Sequence, residues 1–176
     1  MRKLELGCGT SKKEGFDGAD IINYGQKWVF DATKSWPVPS ASYDYILAEN
    51  LFEHLEPGEE IITCFNECYR VLTEGGILEI LVPRWPHPNL VADPTHKSMY
   101  DFVIEEDKVM IFIFRDKMTP RQYFHEKSFE YWAGKRPRGA DYGIKKWAIE
   151  NDGKGNYTWE IREDSMRVRL VKGRQK

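Results

Sequence analysis

Residues 3–10, Lys-Leu-Glu-Leu-Gly-Cys-Gly-Thr, decide how the rest of the chain is read. From Arg2 to Leu6 apolar side chains alternate with polar ones, the period of a strand, and the run passes directly into Gly7-Cys8-Gly9, the composition of a tight turn. Glycine there allows positive φ and close approach of a ligand to the backbone. Open α/β sheets bind ligands at the carboxyl ends of their strands, at a topological switch point. Two nucleotide fingerprints are disfavoured: Lys12 stands where a dinucleotide motif needs its third glycine, and the chain has no phosphate-binding loop that ends in Gly-Lys-Ser/Thr. Glu5, just inside the strand, instead offers a carboxylate to a cationic ligand group.

Downstream of the turn, short strands are expected at 18–22, 28–30 and 43–48, the first two with Asp20 and Asp31 close by. Asp20 is suitably placed for a ribose diol, because one carboxylate accepts from both hydroxyls. Pro57-Gly58 opens a stretch in which Ile61, Phe65, Cys68 and Leu72 recur at helical spacing, and Gly75-Gly76 is expected to stop it. A buried strand follows at 76–82. This alternation indicates an open sheet of mainly parallel strands, since parallel neighbours need crossover connections. Residues 83–125 read as an irregular insertion rich in Pro, His and aromatic residues, followed by a short helix near 126–133. Beyond Gly143, alternating segments around Asp152-Gly153 and Asp164-Ser165 suggest an antiparallel meander that closes the sheet.

The length of 176 residues fits one domain spanning 1–176, with 83–125 as an insertion or lid over the acceptor side. The formal charge of −2 conceals a division: residues 1–114 hold 10 basic and 19 acidic side chains, residues 115–176 hold 16 and 9. An acidic first part suits a cationic ligand, and a basic second part suits an anionic acceptor or is simply a solvated face. The longest apolar run of interest, 109–114, is far below the roughly 18 residues of a membrane span, and the amino terminus has no signal-peptide core, so a cytoplasmic protein without membrane contact is expected. Cys8, Cys64 and Cys68 form no Cys-x-x-Cys pair and support neither a disulfide framework nor a zinc site. Cys64 and Cys68, one helical turn apart, read as core residues. Lys12 and Lys13 read as solvated.

These motifs, in this order, resemble those of the class I S-adenosylmethionine-dependent methyltransferases, in particular the small type 11-like members. The resemblance runs from Lys3 to about Tyr100. It implies an α/β, Rossmann-like class I methyltransferase sheet, mainly parallel with an antiparallel C-terminal part. It implies S-adenosyl-L-methionine as cofactor and S-adenosyl-L-homocysteine as product. In the family's first motif the acidic residue, here Glu5, serves the cofactor ammonium group, and Leu6, Gly7, Cys8, Gly9 and Thr10 pack against its methionine part. Asp20 and Ile21 fall where the family binds ribose, Asp31 and Ala32 where it contacts adenine, and Glu49 and Asn50 at the strand end that lines the site. Two features depart from the pattern. Ser11 replaces the third small glycine, and the interval 6–19 is too short for a helix and a strand together, so the first crossover helix is reduced to a loop or turn.

Methyl transfer from a sulfonium is a displacement with a good leaving group, so the protein mainly aligns the acceptor and excludes water. An oxygen acceptor benefits from a general base, and the candidates are His54, His87, His96 and His125. His54 lies just past the site-lining strand, and Asp93 and His96 occur in an Asp-Pro-Thr-His segment on the acceptor side. His54, His96 and Asp93 form the expected catalytic set. No metal site is assigned: His87, Asp93 and His96 have ligand-like spacing, but a Pro-rich loop uses such residues to satisfy its own backbone. The aromatics between Trp85 and Phe124 form either a substrate lid or a satellite core, and 109–114 is either a buried strand or a homodimer contact. The expected partner is a small-molecule or glycan acceptor. Glu49-Asn50-Leu51-Phe52 lacks the amino-methylating Pro-Pro-aromatic signature, which disfavours nucleic-acid amino groups. Two alternatives remain: a non-catalytic cofactor-binding scaffold, and an RNA-directed methyltransferase using Lys135-Arg136-Pro137-Arg138 and Lys145-Lys146.

Overall fold

A computed structural model of the chain describes residues 1–56, 58–83, 93, 95–97, 99–105, 108–114, 147–149, 159–161 and 165–173, with 99–105, 108–114, 147–149 and 159–161 described by backbone course. The strands are β1 (Lys3–Leu6), β2 (Asp17–Asp20), β3 (Trp28–Val29), β4 (Tyr43–Glu49), β5 (Leu72–Pro83), β6 (Met99–Glu105), β7 (Lys108–Phe114), β8 (Trp147–Ile149), β9 (Trp159–Ile161) and β10 (Ser165–Lys172). Between β4 and β5 lie a short 3-10 turn, Phe52–His54, and helix α1, Glu59–Val71.

The main sheet has the order β3-β2-β1-β4-β5-β10-β8, with β9 also paired to β10. Strands β3, β2, β1, β4 and β5 are parallel, and β10 runs antiparallel to β5. The chain moves from β1 outward to β2 and β3, then returns to place β4 on the other side of β1. The switch point therefore lies between β1 and β4, and the Gly7 turn and Asn50 sit at its carboxyl end.

No helix occupies the connections β1–β2, β2–β3 or β3–β4, as expected for the first from the shortness of 6–19. Local hydrogen bonds take its place. The Lys12 ammonium donates to the carbonyls of Lys13 and Phe16, and the Lys13 N–H donates to Glu5 Oε2 at 2.6 Å, folding residues 7–16 over the end of β1. The 30–42 segment is pinned to α1 by Arg70, whose guanidinium donates to the carbonyls of Val38 and Trp36 while pairing with Glu67 at 2.6 Å. Asp17 accepts from Tyr43 and Lys27, and Tyr43 accepts from the Trp28 indole, tying β2, β3 and β4 together.

Helix α1 buries Ile61, Cys64, Phe65, Cys68, Tyr69 and Val71, the stripe expected from the spacing, with Glu59 and Glu60 in its first turn and Arg70 in its last, which suits the helix dipole. It stops earlier than Gly75-Gly76 suggests. Leu72 is already extended and pairs with Tyr43, and the next pair is Tyr45 with Ile77, so β5 advances five residues while β4 advances two. Gly75, at φ +74°, and Gly76, where a Cβ would lie 2.9 Å from the Thr73 carbonyl oxygen, make that irregularity sterically accessible. The core runs through Leu4, Leu6, Ile46, Leu72, Leu78 and Leu170, all at most 1% exposed. Glu79, buried on β5, is matched there by the Tyr45 hydroxyl, Arg167 and Arg169.

Two expectations about the second half need correction. Within 83–125 the backbone forms a regular antiparallel hairpin, β6 with β7, in register from Met99–Phe114 to Glu105–Lys108. Among the described residues the last three strands do not form a sequential meander: β8 pairs with 170–172 and β9 with 166–168, both along β10. The helix expected near 126–133, together with His87, His125, Trp85, Tyr123, Phe124 and the basic groups at 135–138 and 145–146, lies outside the described residues.

Candidate active site

The carboxyl ends of β1, β2 and β4 and the segment after β3 enclose a cavity of about 430 Å³. Its wall includes Leu6, Gly7, Asp20, Ile21, Asp31, Ala32 and Asn50, seven of the residues singled out from the sequence, and also His54. The Gly7 turn forms one side. Gly7 has φ +66° and Gly9 φ +53°, and a Cβ on Gly7 would come within 3.3 Å of Leu51 Cδ1. Asn50, at φ +53°, turns the chain away from β4 in the left-handed conformation that asparagine tolerates better than most residues, and its N–H donates to the Leu81 carbonyl at 2.9 Å.

Asp20 closes the turn. Its Oδ2 accepts the Gly9 N–H at 2.9 Å and its Oδ1 accepts the Ile22 N–H at 3.0 Å. Each oxygen keeps further acceptor capacity toward the cavity. Asp31 is held similarly, Oδ1 accepting from the Thr33 hydroxyl and N–H while Lys34 sits 3.2 Å from Oδ2. The Thr33 hydroxyl, above all, holds the Asp31 carboxyl below its ordinary range. Phe30 stacks on Trp36 with ring centroids 4.9 Å apart and completes an apolar wall beside Ala32.

Glu5, Cys8, Gly9, Thr10 and Glu49 lie behind this wall or beside it, outside the cavity lining. Buried Glu5 accepts the Lys13 N–H, and the Lys13 ammonium pairs with Glu49 at 2.7 Å. Lys13 is thus more than a solvated side chain: it joins the glycine loop to the end of β4. Cys8 is buried, and burial, reinforced by Asp20 and Glu5, pushes its thiol up and keeps it protonated at neutral pH.

The other rim carries the imidazoles. The His54 and His96 rings meet edge to face at 4.8 Å, and His96 Nε2 lies 3.6 Å from Asp93 Oδ2. Asp93 Oδ1 accepts from the Thr95 hydroxyl at 2.6 Å, and that hydroxyl lies 3.1 Å from His54 Nδ1. Because the Thr95 proton is committed to Asp93, Thr95 accepts from His54, which assigns the proton to Nδ1 and the lone pair to Nε2. Burial, helped by neighbouring His96, pushes the His54 pKa down, so its ring is neutral at pH 7. Beside it Glu53 is fully buried, and burial lifts its carboxyl to about 7. The Lys97 N–H donates to the Glu53 carbonyl at 2.8 Å, bringing the 93–97 segment onto the 3-10 turn.

Residues 17–80 match a family model described as a methyltransferase domain. Several solved structures share the architecture. A protein from Pyrococcus horikoshii OT3 superposes with a TM-score of 0.55 at 17% identity, over 97% of this chain and 82% of its own. An S-adenosylmethionine-dependent methyltransferase from Clostridium acetobutylicum gives 0.54 at 14%, over 98% and 84%. One from Archaeoglobus fulgidus gives 0.53 at 16%, over 97% and 85%. No curated protein matches the chain by sequence.

This chain has the class I methyltransferase fold. Within that fold the cavity occupies the switch point, and the three carboxyl ends bring together motifs that lie up to thirty or more residues apart. Sequence reading omitted Ala19, Phe30, Thr33, Leu51, Leu55, Glu60 and Lys97 from the wall. Most of these adjoin a recognised motif, Thr33 next to Ala32 and Leu51 next to Asn50, so contiguity was an available signal. Glu60 and Lys97, 3.4 Å apart, had none, because their approach depends on how 93–97 docks. Among the described residues no helix is long and apolar enough to cross a membrane.

Proposed function

We propose that the chain is an S-adenosylmethionine-dependent methyltransferase with the cofactor in the cavity at the ends of β1, β2 and β4, acting on a small-molecule or glycan acceptor of anionic character. The observation that carries the reading is the shared wall of Gly7, Asp20, Asp31, Ala32 and Asn50. A glycine surface without Cβ, a carboxylate with spare acceptor capacity and an apolar wall of Phe30 and Ala32 fit the amino-acid, ribose and adenine parts of that cofactor respectively. When bound, the cofactor supplies an electrophilic methyl group on a sulfonium.

The chain's own residues then have distinct tasks. Asp20 accepts from the ribose hydroxyls while its existing bonds to the Gly9 and Ile22 amides keep it from rotating away. Glu5 and Lys13 hold the glycine loop in place from behind. Leu51 and Leu55 add apolar lining that disfavours water in the cavity. Such positioning can lower the barrier by about 7–11 kcal/mol. His54, neutral and with its Nε2 lone pair uncommitted to the Thr95 contact, gives the acceptor rim a group that can take a proton or hold a cation. His96 and Asp93 orient it. The basic side chains beyond residue 114 support the choice of an anionic acceptor.

Isothermal titration with S-adenosylhomocysteine tests the reading. Binding at micromolar to submillimolar concentration is expected, and absence of binding at millimolar ligand would refute it. Tight binding with no transfer across a broad acceptor screen would instead leave a cofactor-binding scaffold.

A further inference from the structure

Glu53 is 0% exposed, and among the described residues neither of its carboxylate oxygens has a hydrogen-bond partner. A buried carboxylate without hydrogen bonds or a counter-charge is costly by several kcal/mol, and native structures rarely retain one without a use. Its neighbours are the two imidazoles of the acceptor rim. One donor atom from each of Glu53, His54 and His96 can be chosen so that all lie within 4.8 Å of one another. Glu53 and His54 come from the turn after β4, whereas His96 comes from the 93–97 segment docked on it through the Lys97 amide.

We propose that Glu53, His54 and His96 bind a divalent transition-metal ion, Zn²⁺ in the first instance, at the acceptor rim of the cavity. Two imidazoles and one carboxylate form a three-ligand set of the kind that leaves a coordination position open. Groups that orient the two rings are already in place: the Asp93–Thr95–His54 chain fixes the proton on His54 Nδ1, leaving Nε2 as the ligand atom, and Asp93 lies beside His96 Nε2, leaving Nδ1. The donor separations, up to 4.8 Å, exceed the roughly 3.3 Å edge of a tetrahedron with 2.0–2.1 Å bonds. Binding therefore draws the three side chains together and ties His96 more firmly to the 3-10 turn. Because His54 lines the cavity, the open position faces it, where the ion would bind and acidify an acceptor oxygen. Only this last role rests on the methyl-transfer reading; the ion site stands on the geometry alone.

The test uses the full chain, stripped with EDTA, dialysed and titrated with Zn²⁺ by calorimetry, with bound zinc counted by mass spectrometry. One ion per chain and a rise in Tm with Zn²⁺ are expected. Glu53→Gln and His96→Ala, which alter two different segments, should each lower Zn²⁺ affinity at least tenfold, with circular dichroism showing that the metal-free variants remain folded. Cobalt loading should give ligand-field bands without an intense thiolate charge-transfer band. Lack of stoichiometric binding, unchanged affinity in both variants, or a thiolate band placing the ion on Cys64 and Cys68 would each overturn the proposal. Since no readout involves methyl transfer or S-adenosylhomocysteine, its failure and the failure of the cofactor reading are distinguishable.

Discussion

The carboxylate of Asp20 accepts the backbone N–H of Gly9 at 2.9 Å, linking the end of β2 to the glycine turn that follows β1. One side chain thereby shapes the cavity wall and presents its remaining acceptor capacity to the cavity. In a sheet whose first crossover lacks a helix, this bond and the Lys13–Glu5 bond stand in for helix packing in holding the turn.

Replacing Asp20 should therefore affect ligand binding more than folding. Asp20→Ala is expected to weaken S-adenosylhomocysteine binding at least tenfold, about 1.4 kcal/mol. Asp20→Asn, which keeps an acceptor for one amide, should lose less. Calorimetric affinities for the two variants check this, and unchanged affinity in Asp20→Ala would remove the ribose assignment.

Gly18 in β2 has no room for a side chain. A Cβ there would lie 2.8 Å from Cys8 Sγ, 2.9 Å from Lys12 Cδ and 3.0 Å from Gln26 Cβ. Lys12 is long enough to move, but buried Cys8 is not. Gly18→Ala is expected to destabilise by about 1–3 kcal/mol, read as a fall in Tm, and adding Cys8→Ala should restore part of it. A single variant as stable as the parent would show that the turn is softer than its contacts suggest.

Glu67 should make the molecule acid-sensitive. Burial pushes its carboxyl up, but Arg70 and the Trp36 N–H outweigh this and hold it below its ordinary value. A carboxyl depressed on folding contributes stability that is complete above the unfolded value, about 4.3, and is lost as pH falls through the folded value. The parent Tm should drop below about pH 4.3, and Glu67→Gln should show a smaller drop over the same interval from a lower neutral-pH starting point. Parallel Tm–pH curves for the two proteins would contradict this role.

What was legible in the sequence was local. The strand expected over 2–6 and present at Lys3–Leu6, with its glycine turn, the carboxylates near the ends of the next two strands, and the helical stripe from Ile61 to Cys68 are each set by spacing within a few residues. The end of α1 was not, because Leu72 leaves the helix to pair with Tyr43 and Gly75-Gly76 serve the strand irregularity instead. Propensity favoured one stop, and a neighbouring strand imposed another.

By itself, the sequence determined the order of motifs, the parallel first half of the sheet and about half of the cavity wall, because backbone period and turn chemistry are properties of adjacent residues. Tertiary structure alone decided that Lys13 reaches Glu49, that β8 and β9 share the edge of β10, and that Glu53 meets His96 across more than forty residues of chain. Those contacts depend on how separate segments are buried against one another, and neither composition nor periodicity encodes which buried partner a side chain will find.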